Sequence, residues 1–219
     1  MKADLHVHTC FSSDGKTTPE QLVEAAVKHG IGCIAVSDHN EFKAYEILKD
    51  NKDVIIIPAE EVSSAEGHII GLGIDRLIPP GRSIQETIDL IHEAGGYAVA
   101  VHPYRKWSGL GEENTLKYDF DAIEARNGRS VPSHNRKSEK LARRIGKPIT
   151  VGSDAHSPTR IGFGYLEIPD DIATWQEAVE YIMSGQVKNT YSHSRHIAAT
   201  IWYGLRTFFK WVFRGCRRI

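Results

Sequence analysis

The chain has 219 residues, of which 41% are hydrophobic and 25% charged. That composition excludes collagen-like, disordered and multi-span membrane classes, and the length is enough for one domain to bury a core without cross-links. The formal charge of −1 is the sum of two unlike parts: residues 190–219 carry six basic side chains (Arg195, Arg206, Lys210, Arg214, Arg217, Arg218) and no acid, leaving 21 basic and 28 acidic residues, a net of −7, in residues 1–189. An acidic body is joined to a basic tail.

Strand-forming and helix-forming runs alternate along the body. Strands are predicted at Ala3–His8, Cys33–Ser37, Val54–Ile57, His68–Ile74, Tyr97–Val101, Ala122–Ala125 and Pro148–Gly152. The first predicted helix, Pro19–His29, has Thr18 as N-cap, proline at its first position and Gly30 to close it. Further helices are predicted at Glu41–Asp50, Ser83–Ala94, Ser133–Ile145 and Ala173–Ser184. The strands read as continuous apolar runs (CIAVS, VIII, YAVAV) rather than alternations, so they are expected to be covered on both faces, in a mostly parallel sheet flanked by helices. Residues 1–190 are therefore expected to form one α/β domain, with 191–219 as an appended segment. The three cysteines form no CxxC pair, and no apolar run follows Met1, which predicts a reducing, cytoplasmic setting.

Histidine is unusually frequent, at eleven residues, and the histidines collect at strand ends. His6 and His8, two apart, project to one face of the first strand. Asp38–His39 ends the second strand and Glu60–Glu61 the third, His68 opens the next run, His102 follows YAVAV, and Asp154 and His156 follow ITVGS. In parallel α/β folds the carboxyl ends of the strands share one rim, where sites are built. Imidazole with carboxylate is a ligand set for Zn, Mn, Fe or Ni, and the number of donors exceeds the needs of one ion. Of Glu60 and Glu61, only one can share the rim face. In the SSDG segment, Gly15 is expected to take a left-handed conformation that folds Asp14 back over the His6–His8 pair.

The segments HVHTCFSSDG (His6–Gly15), VSDHN, PAEEVS, GHIIGLG, VHP, EARNGR and VGSDAH resemble, in order, the motifs of the PHP (polymerase and histidinol phosphatase) superfamily, in its nucleotide-phosphatase-like branch. The resemblance runs from His6 to His156. It implies a distorted seven-stranded β/α barrel with two or three divalent ions (Mn, Zn or Fe) on the carboxyl rim. It implies His6, His8, Asp14, His39, Glu61, Asp154 and His156 as metal ligands, with His68 completing a third site and His102 either a ligand or a substrate contact. One more ligand is expected between strands six and seven, where His134 is the only histidine.

Closely spaced divalent ions activate water and clamp the attacking and leaving oxygens of an in-line displacement, which suits phosphoesters. The expected activity is metal-dependent phosphoester hydrolysis. A small phosphorylated metabolite, a nucleotide or an oligonucleotide end is the expected substrate, since the body is acidic and lacks a basic stripe. Arg129 or Arg160 is expected to pair with the substrate phosphate, and His102 or His134 to protonate the leaving group. Specificity is assigned to loops such as Lys106–Leu116. Rival readings are an amidohydrolase, a non-catalytic metal-binding regulatory module and a polymerase-associated proofreading partner. With neither a P-loop nor a GxGxxG, no nucleotide cofactor is expected. Residues 195–214 are predicted to form a helix with a cationic stripe and a broad apolar face, either packed on the barrel, lying on an anionic membrane, or binding a partner or an anionic substrate.

Overall fold

The computed structural model describes residues 1–193, so the predicted basic helix lies outside the described residues. Nine strands form one sheet: β1 (Lys2–Val7), β2 (Ile31–Val36), β3 (Ile55–Ser63), β4 (His68–Leu72), β5 (Tyr97–Ala100), β6 (Ala122–Asn127), β7 (Ile149–Gly152), β8 (Gly164–Glu167) and β9 (Thr190–Ser192). Strands β1 to β7 are ordered as in the chain, and β8 and β9 continue beyond β1. The sheet curls until the segment after β7 meets β1. There Asp154 N donates to His6 O (2.7 Å) and His8 N to Ala155 O (2.9 Å). The result is a nearly closed barrel of nine strands where seven were expected.

The pairing is also less parallel than expected. Strands β1–β2, β2–β3, β5–β6 and β6–β7 pair in parallel, but β4 is antiparallel to both neighbours, as are β8 to β1 and β9 to β8. The reason is local. Residues 64–67 turn directly from β3 into β4, with Ser64 N donating to Gly67 O at 2.9 Å, and a connection that short cannot provide a parallel crossover. Reversal of β4 puts its first residue, His68, opposite Ser63 and therefore on the rim.

Helix α1 (Pro19–His29) forms as the sequence predicts, with a capping box between Thr18 and Gln21 and a left-handed Gly30. Helix α2 is trimmed to Lys43–Leu48, and α3 (Ile84–Glu93) is capped by Ser83 with Glu86. An unpredicted helix, α4 (Gly111–Lys117), occupies part of the segment read as a loop. Helix α5 (Pro132–Ile145) starts at its proline, not at Ser133, and α6 (Trp175–Met183) is capped by Thr174.

The barrel interior is apolar at one end and polar at the other. Ala3 and Leu5 of β1, Ile57 and Ala59 of β3, Ile70 and Leu72 of β4, Ala122 of β6 and Val151 of β7 pack together, sealed by Ala178, Val179 and Ile182 of α6. Because side chains alternate along a strand, the same inward face continues to Glu61 on β3, His68 on β4 and Glu124 on β6. In β1 the pairing register shifts between Asp4 and Val7. His6 and His8 then join the interior, while Val7 packs outward against Leu22 and Ala26 of α1. Helices α3 and α5 cover the outer face of β4–β6 through Ile88, Ile91, Leu141 and Ala142.

The seam tolerates no side chain at Gly152, where a Cβ would lie 2.2 Å from His6 Cβ and 2.7 Å from His6 N. Neither atom can move without the β1 backbone. Gly152→Ala is accordingly expected to lower the unfolding free energy by about 2–3 kcal/mol, as overpacking does. Urea denaturation measures this, and a loss under about 0.5 kcal/mol, the range of an innocuous surface change, would contradict a close-packed seam.

Candidate metal centre

Glu61 lies at the middle of the polar end and is buried, at 1% exposure. Its Oε2 is 3.0 Å from His6 Nε2, 3.1 Å from His8 Nε2 and 3.4 Å from His39 Nδ1. Its Oε1 is 2.8 Å from His68 Nδ1 and 3.0 Å from His102 Nε2. Asp154 faces it across the rim, with Oδ1 3.6 Å from His8 Nε2 and 3.9 Å from His6 Nε2. Asp14 reaches over from the loop after β1, with Oδ2 2.8 Å from His156 Nε2 and Oδ1 3.8 Å from His39 Nε2. Four overlapping groups of donor atoms result, each within 4.8 Å: His8, His39 and His156; His6, His102 and Asp154; His6, His8 and Glu61; and His39, Glu61 and His68.

The structure therefore brings together every ligand implied by the motifs except His134. That residue sits in the first turn of α5, beside the cations of Lys137, Arg105 and Lys106; partial burial and these charges lower its pKa. Glu60 points to the other face of β3, where it accepts from Ile78 N at 2.7 Å. Asp14 is delivered by a different device from the one expected. Gly15 is not left-handed; it is required because a Cβ would fall 1.8 Å from Thr9 O. Asp154 and His102 do take positive φ, 52° and 30°, a conformation that costs non-glycine residues energy and clusters at functional sites.

Surrounding groups fix the imidazoles. His6 Nδ1 is 2.9 Å from Glu124 Oε1, which leaves Nε2 to face Glu61. His8 Nδ1 is 3.1 Å from Ser12 Oγ, which itself donates to Asp38 Oδ1 at 2.7 Å. A ligand imidazole held through its other nitrogen in this way is oriented and made more basic. Glu124 also accepts from His102 N at 2.8 Å and from Asn127 Nδ2 at 3.1 and 3.0 Å. Arg105 reaches Asp154 Oδ2 at 2.7 Å and Asn127 Oδ1 at 2.6 Å. The EARNGR segment signals Glu124 only by placing an acid inside an apolar strand; nothing near Arg105 in the sequence points to Asp154. Arg129, expected at the substrate, has Nη1 3.1 Å from Asp154 Oδ1 and 2.9 Å from His156 Nδ1. Arg160 lies over the Phe163 ring at 5.0 Å.

Electrostatics polarise these groups strongly. Burial alone would raise the Glu61 carboxyl, but the imidazoles of His39, His6 and His68 outweigh it and hold it well below the usual carboxylate range. Burial works the same way on Asp154, and Arg105, Arg129 and His6 overcome it. Burial opposes a charge on His6, yet Glu61, Asp154 and Glu124 raise its pKa well above normal. Burial lowers His39 and His102 to about 4, with Arg105 adding to the effect on His102. A divalent cation fits this donor set. The Nδ1 atoms of His39 and His102 are buried without a hydrogen bond, and buried polar atoms are rarely left so. Ring nitrogens of His6 and His8 face each other at 3.1 Å beside ionised carboxylates, an arrangement that a bound cation would satisfy. The set is oxygen and nitrogen without thiolate, suited to Mn, Fe or Zn.

A nearly closed β/α barrel with histidine and carboxylate donors on one rim defines a metal-binding barrel class. Residues 4–101 match the model of the PHP domain and residues 132–187 that of the PHP-associated region. The uncharacterized protein MJ1587 of Methanocaldococcus jannaschii is 36% identical over 140 residues, covering 58% of this chain and 82% of that protein. The chain belongs to the PHP family. It is similar, at 25% identity over 250 residues, to the 5'-3' exoribonuclease Rnm of Salmonella typhimurium, covering 71% of this chain and 85% of Rnm. In fold it is similar to a two-domain protein from Bacteroides vulgatus containing a predicted PHP-like metal-dependent phosphoesterase, with a TM-score of 0.73 at 17% identity. That match covers 88% of this chain and 65% of the Bacteroides chain.

Replacing Glu124 with Gln keeps the shape of the side chain but removes the charge that orients His6. Glu124→Gln is expected to weaken binding of Mn or Zn by about 10- to 100-fold while the fold persists. Calorimetric titration of metal into the stripped protein, with circular dichroism as the fold control, measures this; unchanged affinity would rule out the supporting role.

Proposed function

We propose that the chain is a metal-dependent phosphoesterase, with His6, His8, Asp14, His39, Glu61, His68, His102, Asp154 and His156 holding two or three divalent ions. The observation that carries this reading is the overlap of donor groups around Glu61: with imidazole nitrogens at both of its oxygens, Glu61 would help to hold more than one ion, as a site for in-line displacement on phosphoesters requires. When bound, such ions supply positive charge to a phosphoryl group and acidify water toward neutral pH. The chain's own residues prepare the ground for this. Glu124 and Ser12 aim the imidazoles, and buried Glu61 and Asp154 stay ionised at neutral pH. Arg105 and Arg129 bring guanidinium groups to the same rim, where planar two-pronged donors suit phosphate oxygens. His102 is neutral at pH 7, since burial and Arg105 lower its pKa to about 4; it serves better as an electron-pair donor to a cation than as a source of protons. The similarity to Rnm favours a phosphoester over an amide.

The test is a screen of phosphomonoesters, phosphodiesters and amides with protein reloaded with Mn or Zn. Phosphoester hydrolysis is expected, abolished by EDTA and reduced by His6→Ala/His8→Ala by at least about 100-fold, the scale of losing an activated nucleophile. Phosphate release that survived the double change would exclude this centre as the site of reaction, and amide cleavage alone would favour an amidohydrolase.

A further inference from the structure

Trp107 is 98% exposed, and its φ of 79° is a conformation that bulky residues adopt only at a cost. Such a residue in a slack loop would need no explanation. This loop is tightly wound: Arg105 N donates to His102 O at 2.8 Å, Gly109 N to Arg105 O at 3.0 Å and Gly111 N to Pro103 O at 2.9 Å. A Cβ on Gly109 would lie 2.6–2.7 Å from the carbonyl oxygens of His102, Arg105 and Pro103. The loop is also tied on both sides of Trp107 to the metal centre. Ser108 O accepts from His68 N at 2.9 Å, and Arg105 binds Asp154 at 2.7 Å. With successive Cα atoms about 3.8 Å apart, the indole is carried at the edge of the site on a rigid arm. Burying it in the core would have been the ordinary use of a tryptophan.

The ground beside it is cationic, although the body as a whole is acidic. Lys106 and Lys137 are exposed, and Lys137 Nζ lies 5.5 Å from the centroid of the Tyr104 ring. With Arg105, these charges lie close enough to His134 to perturb it. Tyr104 OH in turn donates to Glu112 Oε2 at 2.5 Å, which braces the ring under Lys137. An exposed indole next to Lys106, on a loop whose Tyr104 ring carries Lys137, is a combination suited to single-stranded nucleic acid, with bases stacking on the aromatic face and phosphates following the charges.

We propose that Trp107 is a specificity-determining residue that stacks on a base of a single-stranded nucleic-acid end, with Lys106 and Lys137 holding the adjoining phosphates as that end enters the metal centre. The proposal rests on the phosphoesterase reading for the chemistry that follows, but binding tests it separately. The probes are a labelled single-stranded oligodeoxyadenylate and an abasic oligomer of the same length and phosphate number, both with cleavage-resistant phosphorothioate linkages. Binding to the full-length, metal-loaded chain is followed by fluorescence anisotropy. The wild type is expected to bind the base-bearing oligomer about tenfold or more tightly than the abasic one. Trp107→Ala should erase that preference and Trp107→Phe retain most of it. Lys106→Ala/Lys137→Ala should weaken both oligomers alike and flatten the salt dependence. A preference that survives Trp107→Ala, or a wild type that does not distinguish the two oligomers, overturns the proposal. Because binding needs no turnover, a protein that binds as expected yet cleaves no phosphoester would refute the catalytic reading alone.

Discussion

Everything at the polar end of the barrel depends on one buried carboxylate kept ionised. Taking an unpaired carboxylate out of water costs several kcal/mol even after relaxation, and Glu61 has almost no contact with solvent. Its charge is sustained by the imidazoles that meet both of its oxygens, and the raised pKa of His6 is owed in turn to it, Asp154 and Glu124. The cluster is a mutual arrangement in which no member is stable alone. A protein that only needed a stable core would fill this end with hydrophobic side chains, as it fills the other. Concentrating unlike charges there is a cost borne for a function, and cation binding is the function that the donor geometry suits.

The barrel makes this arrangement possible by carrying one alternating pattern from core to site. On β3 the inward positions run Ile57, Ala59, Glu61, so a single strand supplies the apolar interior and then the central carboxylate. On β6 Ala122 is followed inward by Glu124, and on β4 the sequence is read in reverse, from His68 to Ile70 and Leu72. Donor positions are thus set by the same packing that determines the fold, which gives the precision that loops alone lack. Where alternation would have failed, on β1, a register shift redirects His6 and His8 inward. Close approach of Gly152 to His6 then pins that strand against β7.

Around the donors lies a layer of opposite charge. Arg105 and Arg129 both reach Asp154, so the rim presents cations above a negatively charged floor. A net charge of −7 for residues 1–189 says little about such local contrast, and neither does the total of −1. Whatever binds at this rim meets the arrangement of charges there, and the Tyr104–Gly109 loop extends that arrangement outward.

Much of this was legible in the sequence. The HxH doublet, the Glu–Glu pair and the DxH doublet each follow a short apolar run, and the end of such a run is where a strand delivers polar side chains to a rim. Capping signals at Thr18 and Ser83 located helices for equally local reasons. What escaped either carried no apolar signal or was set by contacts distant in the chain. The antiparallel course of β4 depends on a short turn that apolar composition does not reveal. Strands β8 and β9 are short and partly exposed, with little hydrophobic signal. Glu124 and Arg105 matter because of His6 and Asp154, 118 and 49 residues away. By itself, then, the sequence determined which chemical groups this protein would gather and at which ends of its strands. Only the tertiary structure decided which atoms share a carboxylate, which imidazole nitrogen faces inward and which arginine reaches the rim, because those depend on how a curled sheet brings remote strands within hydrogen-bond distance.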